Sequence, residues 1–217
     1  MLRGFYAIYD VTMEQSSNDQ VERLVAEGTE TLLASAPCML QLRAKFASAD
    51  LVWRLAKVVK PLAARVGVPL CINDRLDVAL AIGADAVHFG QEDLPYTAAK
   101  RVVDLWPSSM LIGISTHSEL QAASAVAVGA DYIGFGPLFP TTTKKDADPV
   151  VGLKRLATVV AASRIPVVGI GGVTLQNVSS VAATGAAAAA AISAVAAATD
   201  PIAAGRYVNA AFGRSVD

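Results

Sequence analysis

The chain has 217 residues, of which 53% are hydrophobic and 17% charged, and its formal net charge is −1. This composition is typical of one well-packed globular domain and excludes a disordered chain. The near-neutral charge offers no bulk attraction to nucleic acid or to an anionic membrane, so local cations or a metal must hold any anionic ligand.

The N-terminus and the two cysteines predict a cytoplasmic location. Met1 leads directly into a strand-like run rather than into a basic, apolar leader. Cys38 and Cys71 lie inside apolar runs, without the spacing of a disulfide framework or a zinc site. The longest apolar run, 186–198, is mostly alanine and too short to span a bilayer. We therefore expect a cytoplasmic protein without nucleic-acid or membrane partners, and a homo-oligomer is compatible with the sequence.

Short apolar runs alternate with segments of helical spacing along the whole chain. The strand candidates are 5–10, 38–43, 69–74, 86–90, 111–115, 132–136, 166–171 and 187–193. Helix starts are predicted between them at Ser118, where Gln121 completes a capping box, at Thr174, and at Asp200 followed by Pro201. This alternation predicts βα units around a parallel sheet.

A partial internal repeat supports the βα interpretation. Residues 83–90 read Gly-Ala-Asp-Ala-Val-His-Phe-Gly, and residues 129–136 read Gly-Ala-Asp-Tyr-Ile-Gly-Phe-Gly. Eight such units close into a (β/α)8 TIM barrel, and we expect residues 1–217 to form this one domain. An open, doubly wound sheet is the alternative.

The active site of a (β/α)8 barrel lies at the carboxyl ends of its strands. At the second strand, Gln41, Arg43 and Lys45 alternate with apolar residues, so their side chains point to one side. Two cations on one face would suit a polyanion such as pyrophosphate. A solvated strand end with salt bridges is the competing interpretation.

Asp74 and Asp93 follow the adjacent third and fourth strands. Two carboxylates with phosphate oxygens and water describe a typical Mg²⁺ site. Each aspartate could instead cap a helix or a loop.

Glycines and hydroxyls follow the later strands. Gly169, Gly171 and Gly172, with Thr174 opening a helix, resemble the phosphate site of barrels, which Ile192 and Ser193 would complete from the eighth strand. The loop after the sixth strand, 141–145, adds three threonines and two lysines that suit phosphate oxygens, although a solvated surface loop has the same composition.

The two histidines have different expected roles. His88 lies inside the fourth strand, which favours a packed, structural residue. His117 follows the fifth strand, where a ligand or proton-transfer role and a supporting hydrogen bond are both open.

Several motifs together resemble one family over nearly the whole chain. They are Gln41-Leu-Arg-Ala-Lys45, Ile72-Asn-Asp-Arg75, His88-Phe-Gly-Gln-Glu-Asp93, Gly113-Ile-Ser-Thr-His117, Gly134-Phe-Gly-Pro-Leu-Phe-Pro-Thr-Thr-Thr-Lys144 and Ile192-Ser193. This combination strongly resembles thiamine phosphate synthase.

The resemblance implies an enzyme that joins 4-amino-2-methyl-5-hydroxymethylpyrimidine diphosphate to a thiazole phosphate and releases pyrophosphate. It implies that Mg²⁺ binds at Asp74 and Asp93. The implied substrate-binding residues are Gln41, Arg43, Lys45, Asn73, Ser115, Thr141, Thr143, Lys144, Gly171, Gly172, Ile192 and Ser193, of which Arg43, Lys45, Ser115 and Lys144 are expected to be catalytic.

Tyr9 departs from the family pattern, and two other functions are compatible with a barrel of this kind. The first strand carries Tyr9 where the family usually has threonine, so ligand contacts from this strand are open. A thiazole tautomerase-like isomerase would need neither the cation cluster nor the aspartate pair. A non-catalytic barrel that senses a phosphate ligand would bind without turnover.

Overall fold

The computed structural model describes residues 2–11, 18–106, 109–141 and 149–215. The strands are β1 Gly4–Asp10, β2 Met39–Arg43, β3 Leu70–Asn73, β4 Ala86–Phe89, β5 Leu111–Thr116, β6 Tyr132–Phe135, β7 Val167–Ile170 and β8 Ala188–Ala190. The helices are α1 Asn18–Leu33, α2 Ala49–Arg65, α3 Leu76–Ile82, α4 Tyr96–Val103, α5 Glu119–Val128, α6 Gly152–Ala162, α7 Val178–Ala183, α8 Ile192–Ala196 and α9 Pro201–Ala211. Among these described segments, no helix has the length and apolar character needed to cross a membrane.

The strands form a closed parallel barrel in chain order, with β8 paired to β1. This confirms the predicted (β/α)8 fold, and the open-sheet alternative is wrong. The register places Asp10 beside Arg43 and Ser115 beside Gly134, so the polar ends of neighbouring strands lie at one mouth.

The alternation of side chains divides the core into two apolar layers. Leu40, Leu42 and Ile72 belong to the outer layer, which packs between the barrel and its helices. Tyr6 and Tyr132 belong to the inner layer inside the barrel, together with Met39, Cys71, Val168, Ala188 and Ala190. The inner layer forms the floor beneath the mouth.

Two predicted helix starts are confirmed and one is wrong. Ser118 accepts a hydrogen bond from the Gln121 N–H, and Asp200 accepts one from the Ala203 N–H. Helix α7 begins at Val178, four residues after Thr174, because Asn177 Oδ1 accepts the Thr174 N–H at 2.8 Å and stabilises a turn there instead.

The eighth strand is shorter than predicted. It ends at Ala190, whereas the sequence interpretation extended it to Ser193. Ile192 and Ser193 instead form the first turn of the short helix α8. Their backbone N–H groups therefore stand at a helix start, where intrahelical partners are missing.

Candidate active site

A cavity of about 760 Å³ opens at the carboxyl ends of the strands. Every predicted site residue that the structure describes lines it: Gln41, Arg43, Lys45, Asn73, Asp74, Asp93, Ser115, Thr141, Gly171, Gly172, Ile192 and Ser193. Thr143 and Lys144 lie outside the described residues, as does Lys145, to which the sequence interpretation assigned no role. The fold thus brings the described candidates, which come from seven strand ends, into one space.

Arg43 and Lys45 are the arginine and lysine side chains that line the cavity among the described residues. The Arg43 guanidinium donates through Nη1 to both carboxylate oxygens of Asp10, at 2.6 Å each. Asp10 also lines the cavity, and sequence reasoning did not single it out. Its signal was its place at the end of the first strand, directly opposite Arg43 in the register.

Asp74 and Asp93 interact across the ends of β3 and β4. Burial, followed by hydrogen bonding and charge repulsion from Asp93, raises the pKa of Asp74 to about 7. Asp93 Oδ2 accepts the Gly90 N–H at 2.7 Å, which orients this carboxyl toward its neighbour. We call Arg43, Lys45, Asp74 and Asp93 the charged wall.

Asp74 has an unusual backbone conformation. Its φ is 61°, in the left-handed region that non-glycine residues rarely adopt, and its N–H donates to the His88 carbonyl at 2.8 Å. Such strain is common at functional sites, where the surrounding structure compensates for it.

The aspartate pair can be tested as a cation site by its donor chemistry. Two carboxylates forced together are relieved by a hard divalent cation, which prefers oxygen ligands. Within the described ranges, no cluster of three or more His, Cys, Asp or Glu side chains is placed to hold a metal. A cation here would therefore need further oxygen ligands from substrate or water.

Gly171 and Gly172 line the opposite side of the cavity, with Ile192 and Ser193 at the start of α8. Both glycines have positive φ, 88° and 66°. A Cβ on Gly171 would lie 2.5 Å from the Pro137 Cβ, and one on Gly172 would lie 2.5 Å from the Pro140 carbonyl oxygen. We call Gly171, Gly172, Ile192 and Ser193 the glycine wall.

Gly169 does not belong to the glycine wall, contrary to the sequence interpretation. It lies within β7, and a Cβ there would meet Val181 and Leu138 at 2.8 and 2.9 Å. Val181 belongs to α7, so Gly169 permits close packing of a helix on the outside of the barrel rather than binding of a ligand.

A chain of hydrogen-bonded side chains forms the floor of the cavity. Gln41 Nε2 lies 2.9 Å from the Tyr6 hydroxyl, and the Tyr6 hydroxyl lies 2.9 Å from that of Tyr132. His88 joins the chain through Nδ1, 3.1 Å from the Tyr132 hydroxyl, and through Nε2, 2.9 Å from Ser115 Oγ. We call these five residues the polar floor.

The polar floor gives His88 a role that the sequence did not predict. His88 is packed, as expected, but it also contacts Ser115, a predicted site residue. Burial lowers its pKa to about 4, so the imidazole is neutral at neutral pH. Tyr6 and Tyr132 were missed as well. Each tyrosine alternates along its strand with residues of the outer layer, and this alternation could have shown that both point into the barrel.

His117 and Tyr9 are also placed by the structure. His117 lines the cavity, and its Nδ1–H donates to the Gly136 carbonyl at 2.6 Å. The Tyr9 hydroxyl donates to the Leu24 carbonyl of α1 at 2.9 Å, so this side chain faces the helices. Ligand contacts from the first strand are consequently available to Tyr6, Ile8 and Asp10.

The chain matches a known family over most of its length. A sequence profile described as thiamine monophosphate synthase matches residues 8–195. The chain belongs to this family. The thiamine-phosphate synthase of Chloroflexus aurantiacus is 40% identical over 205 residues, which cover 94% of this chain and 92% of that protein. The thiamine-phosphate synthase of Laribacter hongkongensis is 42% identical over 187 residues, 86% of this chain and 87% of its own length.

Solved structures place the thiamine monophosphate synthase family on this fold. The thiamine phosphate pyrophosphorylase from Pyrococcus furiosus superposes with a TM-score of 0.83 at 32% identity, covering 98% of this chain and 96% of that one. A 3-hexulose-6-phosphate synthase reaches a TM-score of 0.70 at 20% identity, over 96% and 99%, and shows the fold alone. Membership of the family makes the chain a transferase of thiamine biosynthesis. The tautomerase-like and ligand-sensing alternatives are not favoured.

Proposed function

We propose that the protein condenses 4-amino-2-methyl-5-hydroxymethylpyrimidine diphosphate with a thiazole phosphate, carboxylated or not, to give thiamine phosphate and pyrophosphate. The observation that carries this proposal is the single cavity with the charged wall on one side and the glycine wall on the other. Two anionic substrates that must react with each other need two such anion sites facing one space.

The diphosphate would lie against the charged wall. Arg43 and Lys45 would neutralise its oxygens, and Gln41 and Asn73 would complete its site from the neighbouring strands. The ion pair with Asp10 orients the Arg43 guanidinium in the cavity. Lys144, from the loop after β6, would add a third cation.

The thiazole phosphate would lie against the glycine wall. Gly171 and Gly172 carry no side chain that could cover their backbone N–H groups, and these groups, with those at the start of α8, suit phosphate oxygens. Thr141 and Thr143 would add hydroxyl donors from the loop after β6. This arrangement places the phosphate away from the negative charge of the two aspartates.

Asp74 and Asp93 would hold Mg²⁺ together with diphosphate oxygens and water. When bound, the ion supplies positive charge beside the leaving group. Burial and then the neighbouring Asp93 raise the pKa of Asp74, which favours this assignment, since a cation would stabilise the ionised carboxyl.

The reaction would begin when the bond between the pyrimidine methylene carbon and the diphosphate oxygen breaks. The electron pair leaves with pyrophosphate, and Arg43, Lys45 and Lys144 offset the charge that grows there. The remaining pyrimidinylmethyl cation is stabilised by resonance, and Ser115 would hold its ring. The thiazole nitrogen then donates its lone pair to the methylene carbon, provided that water is excluded.

Product formation tests this proposal. Purified protein with both substrates and Mg²⁺ should release thiamine phosphate and pyrophosphate in equal amounts, and chelation of the metal should stop the reaction. Tight binding of thiazole phosphate without any product would instead support a ligand-sensing barrel. Isomerisation of the thiazole substrate alone would support a tautomerase.

A further inference from the structure

One direction of hydrogen bonding gives every side-chain proton of Tyr6, Tyr132 and His88 an oxygen or nitrogen acceptor within the polar floor. Gln41 Nε2 carries two N–H groups, and these face the Tyr6 hydroxyl at 2.9 Å and the Cys71 sulfur at 3.8 Å. An amide nitrogen donates and does not accept. The Tyr6 hydroxyl is therefore an acceptor toward Gln41, and its own proton must go to another partner.

The remaining bonds follow from this first one. The Tyr6 proton can go to the Tyr132 hydroxyl at 2.9 Å or to the Cys71 sulfur, and the hydroxyl is the stronger acceptor. The Tyr132 proton then goes to His88 Nδ1 at 3.1 Å, which is a stronger acceptor than the Cys71 sulfur at 3.6 Å. A neutral imidazole that accepts at Nδ1 carries its proton on Nε2, which donates to Ser115 Oγ at 2.9 Å.

The two ends of the polar floor face the cavity with opposite character. Gln41 Oε1, with its nitrogen turned inward, has no hydrogen-bond partner in the described part of the chain and presents an acceptor. Ser115 Oγ already accepts from His88, so its own proton is available to a ligand. An acceptor and a donor that face the same cavity complement the amino group and the unprotonated ring nitrogen of one ligand.

We propose that Tyr6, Tyr132 and His88 are positioning residues that hold Gln41 as an acceptor and Ser115 as a donor, so that the site selects a 4-aminopyrimidine over its 4-oxo analogue. The 4-oxo ring carries a carbonyl and a ring N–H, which reverses both hydrogen bonds. This inference rests on the proposed function for the identity of the pyrimidine ring. It adds the hydrogen-bonded side chains that would select this ring.

The packing around the polar floor restricts other arrangements. Tyr6, Tyr132 and His88 are 3%, 1% and 8% exposed, so water does not compete freely for their bonds. A Cβ on Gly113 would lie 2.1 Å from the Tyr132 ring, which means that the absent side chain makes room for this tyrosine. Rings held this closely keep the same partners, so a reversed chain would have to send the Tyr6 proton to the weaker Cys71 acceptor.

The first experiment determines the direction of hydrogen bonding along the polar floor in the protein without ligand. The sequence contains two histidines, and Nδ1 of His117 faces a carbonyl acceptor while Nδ1 of His88 faces a hydroxyl. Nitrogen NMR at about pH 9, above the ordinary imidazole pKa, should show the Nε2–H tautomer for His88 and the Nδ1–H tautomer for His117. A His117→Gln variant assigns the signals. An Nδ1–H tautomer at His88 would overturn the proposed direction.

The second experiment measures selectivity. The ratio of kcat/KM for the 4-amino and 4-oxo pyrimidine diphosphates is compared in the wild-type protein and in Tyr6→Phe, since intrinsic reactivity cancels between the two proteins. Loss of the Tyr6 hydroxyl lets the Gln41 amide turn over, and we expect the ratio to fall about tenfold. Tyr96→Phe removes a 2.6 Å bond to the Gly129 carbonyl outside the cavity and should leave the ratio unchanged.

Failure of the proposed function and failure of the proposed positioning role give different experimental results. A wild-type protein that does not convert the 4-amino substrate contradicts the proposed function. A folded, active Tyr6→Phe with an unchanged ratio contradicts the positioning role and leaves the function intact. If Tyr6→Phe does not fold, the histidine tautomer in the wild-type protein still decides the inference.

Discussion

The charged wall and the glycine wall enclose the same cavity, but one consists of charged side chains and the other mainly of exposed backbone. Arg43, Lys45, Asp74 and Asp93 act through side-chain charges, so their properties depend on pH, on metal and on neighbouring charges. Gly171 and Gly172 act through backbone that only glycine tolerates, because both have positive φ and a Cβ at either position would lie 2.5 Å from an atom of the neighbouring chain. Substitutions on the two walls should therefore fail in different ways.

The largest expected effect is on the charged wall. Asp93→Asn keeps an oxygen that can accept the Gly90 N–H but removes the charge that a divalent cation needs. We expect Mg²⁺-dependent turnover to fall by at least about 100-fold, as for loss of metal-ion catalysis, with little change in thiazole phosphate affinity.

Steady-state kinetics and calorimetric titration with thiazole phosphate would check this. Asp77→Asn is the matched control, since Asp77 pairs with Arg75 outside the cavity. Normal turnover of Asp93→Asn would remove this residue from the cation site.

A smaller effect is expected from Arg43→Ala. Loss of a charge-assisted hydrogen bond to the diphosphate should cost about 1.5–3 kcal/mol, seen mainly as a higher KM for the pyrimidine substrate. Asp10, left without its partner, would add repulsion, so a further Asp10→Asn change should recover part of the loss.

Arg75→Ala provides the comparison, because Arg75 bonds to Asp77 and does not line the cavity. An Arg43→Ala protein that keeps the wild-type KM would show that this cation serves the barrel rather than the ligand.

Gly171→Ala tests the glycine wall. The new Cβ would stand 2.5 Å from the Pro137 Cβ at a φ of 88°, so the backbone must shift, at a cost of about 1–3 kcal/mol. We expect weaker binding of thiazole phosphate, with a smaller change for the pyrimidine diphosphate.

Gly67→Ala is the control that separates the effect of backbone strain from the effect of a changed binding site. Gly67 has a φ of 68°, but a Cβ there meets nothing within 4 Å. The Gly67→Ala substitution should lower the melting temperature without changing the KM of either substrate. Equal losses for both substrates in Gly171→Ala would contradict the division between the walls.

The smallest expected effect is a pH-dependent gain in stability from Asp74→Asn. The folded pKa of about 7 lies above the ordinary value of 3.8, so the folded chain holds the proton more tightly than the unfolded chain. This group therefore stabilises the fold at low pH, and the contribution is lost as pH rises through about 7. The His88 contribution runs oppositely but is common to both proteins.

Melting temperatures at about pH 5 and about pH 8 would check the sign. After allowance for solvent screening we expect Asp74→Asn to gain about 1 kcal/mol, or about 2–4 °C, relative to wild type at the higher pH. A relative loss at high pH would show that ionisation of Asp74 does not destabilise the fold.

Much of the fold and of the cavity was predictable from local patterns. Gln41, Arg43 and Lys45 share a face because side chains alternate along a strand, and this holds in any strand context. Asp74 and Asp93 follow separate strands and Ser115 lies near the end of a third, and closure of a parallel barrel brings such ends together. The end of β8 was misjudged because a run of alanines carries no signal that separates a strand from a short helix.

The amino-acid sequence by itself determined the βα alternation, the barrel and the chemical groups at its mouth, because these depend on local periodicity and on chain order. Only the tertiary structure decided that Arg43 pairs with Asp10, that burial and the neighbouring Asp93 make ionisation of Asp74 more costly, and that a histidine and two tyrosines join Gln41 to Ser115. The physical reason is that distances between side chains on different strands are set by register and by closure of the barrel, and no local pattern encodes them.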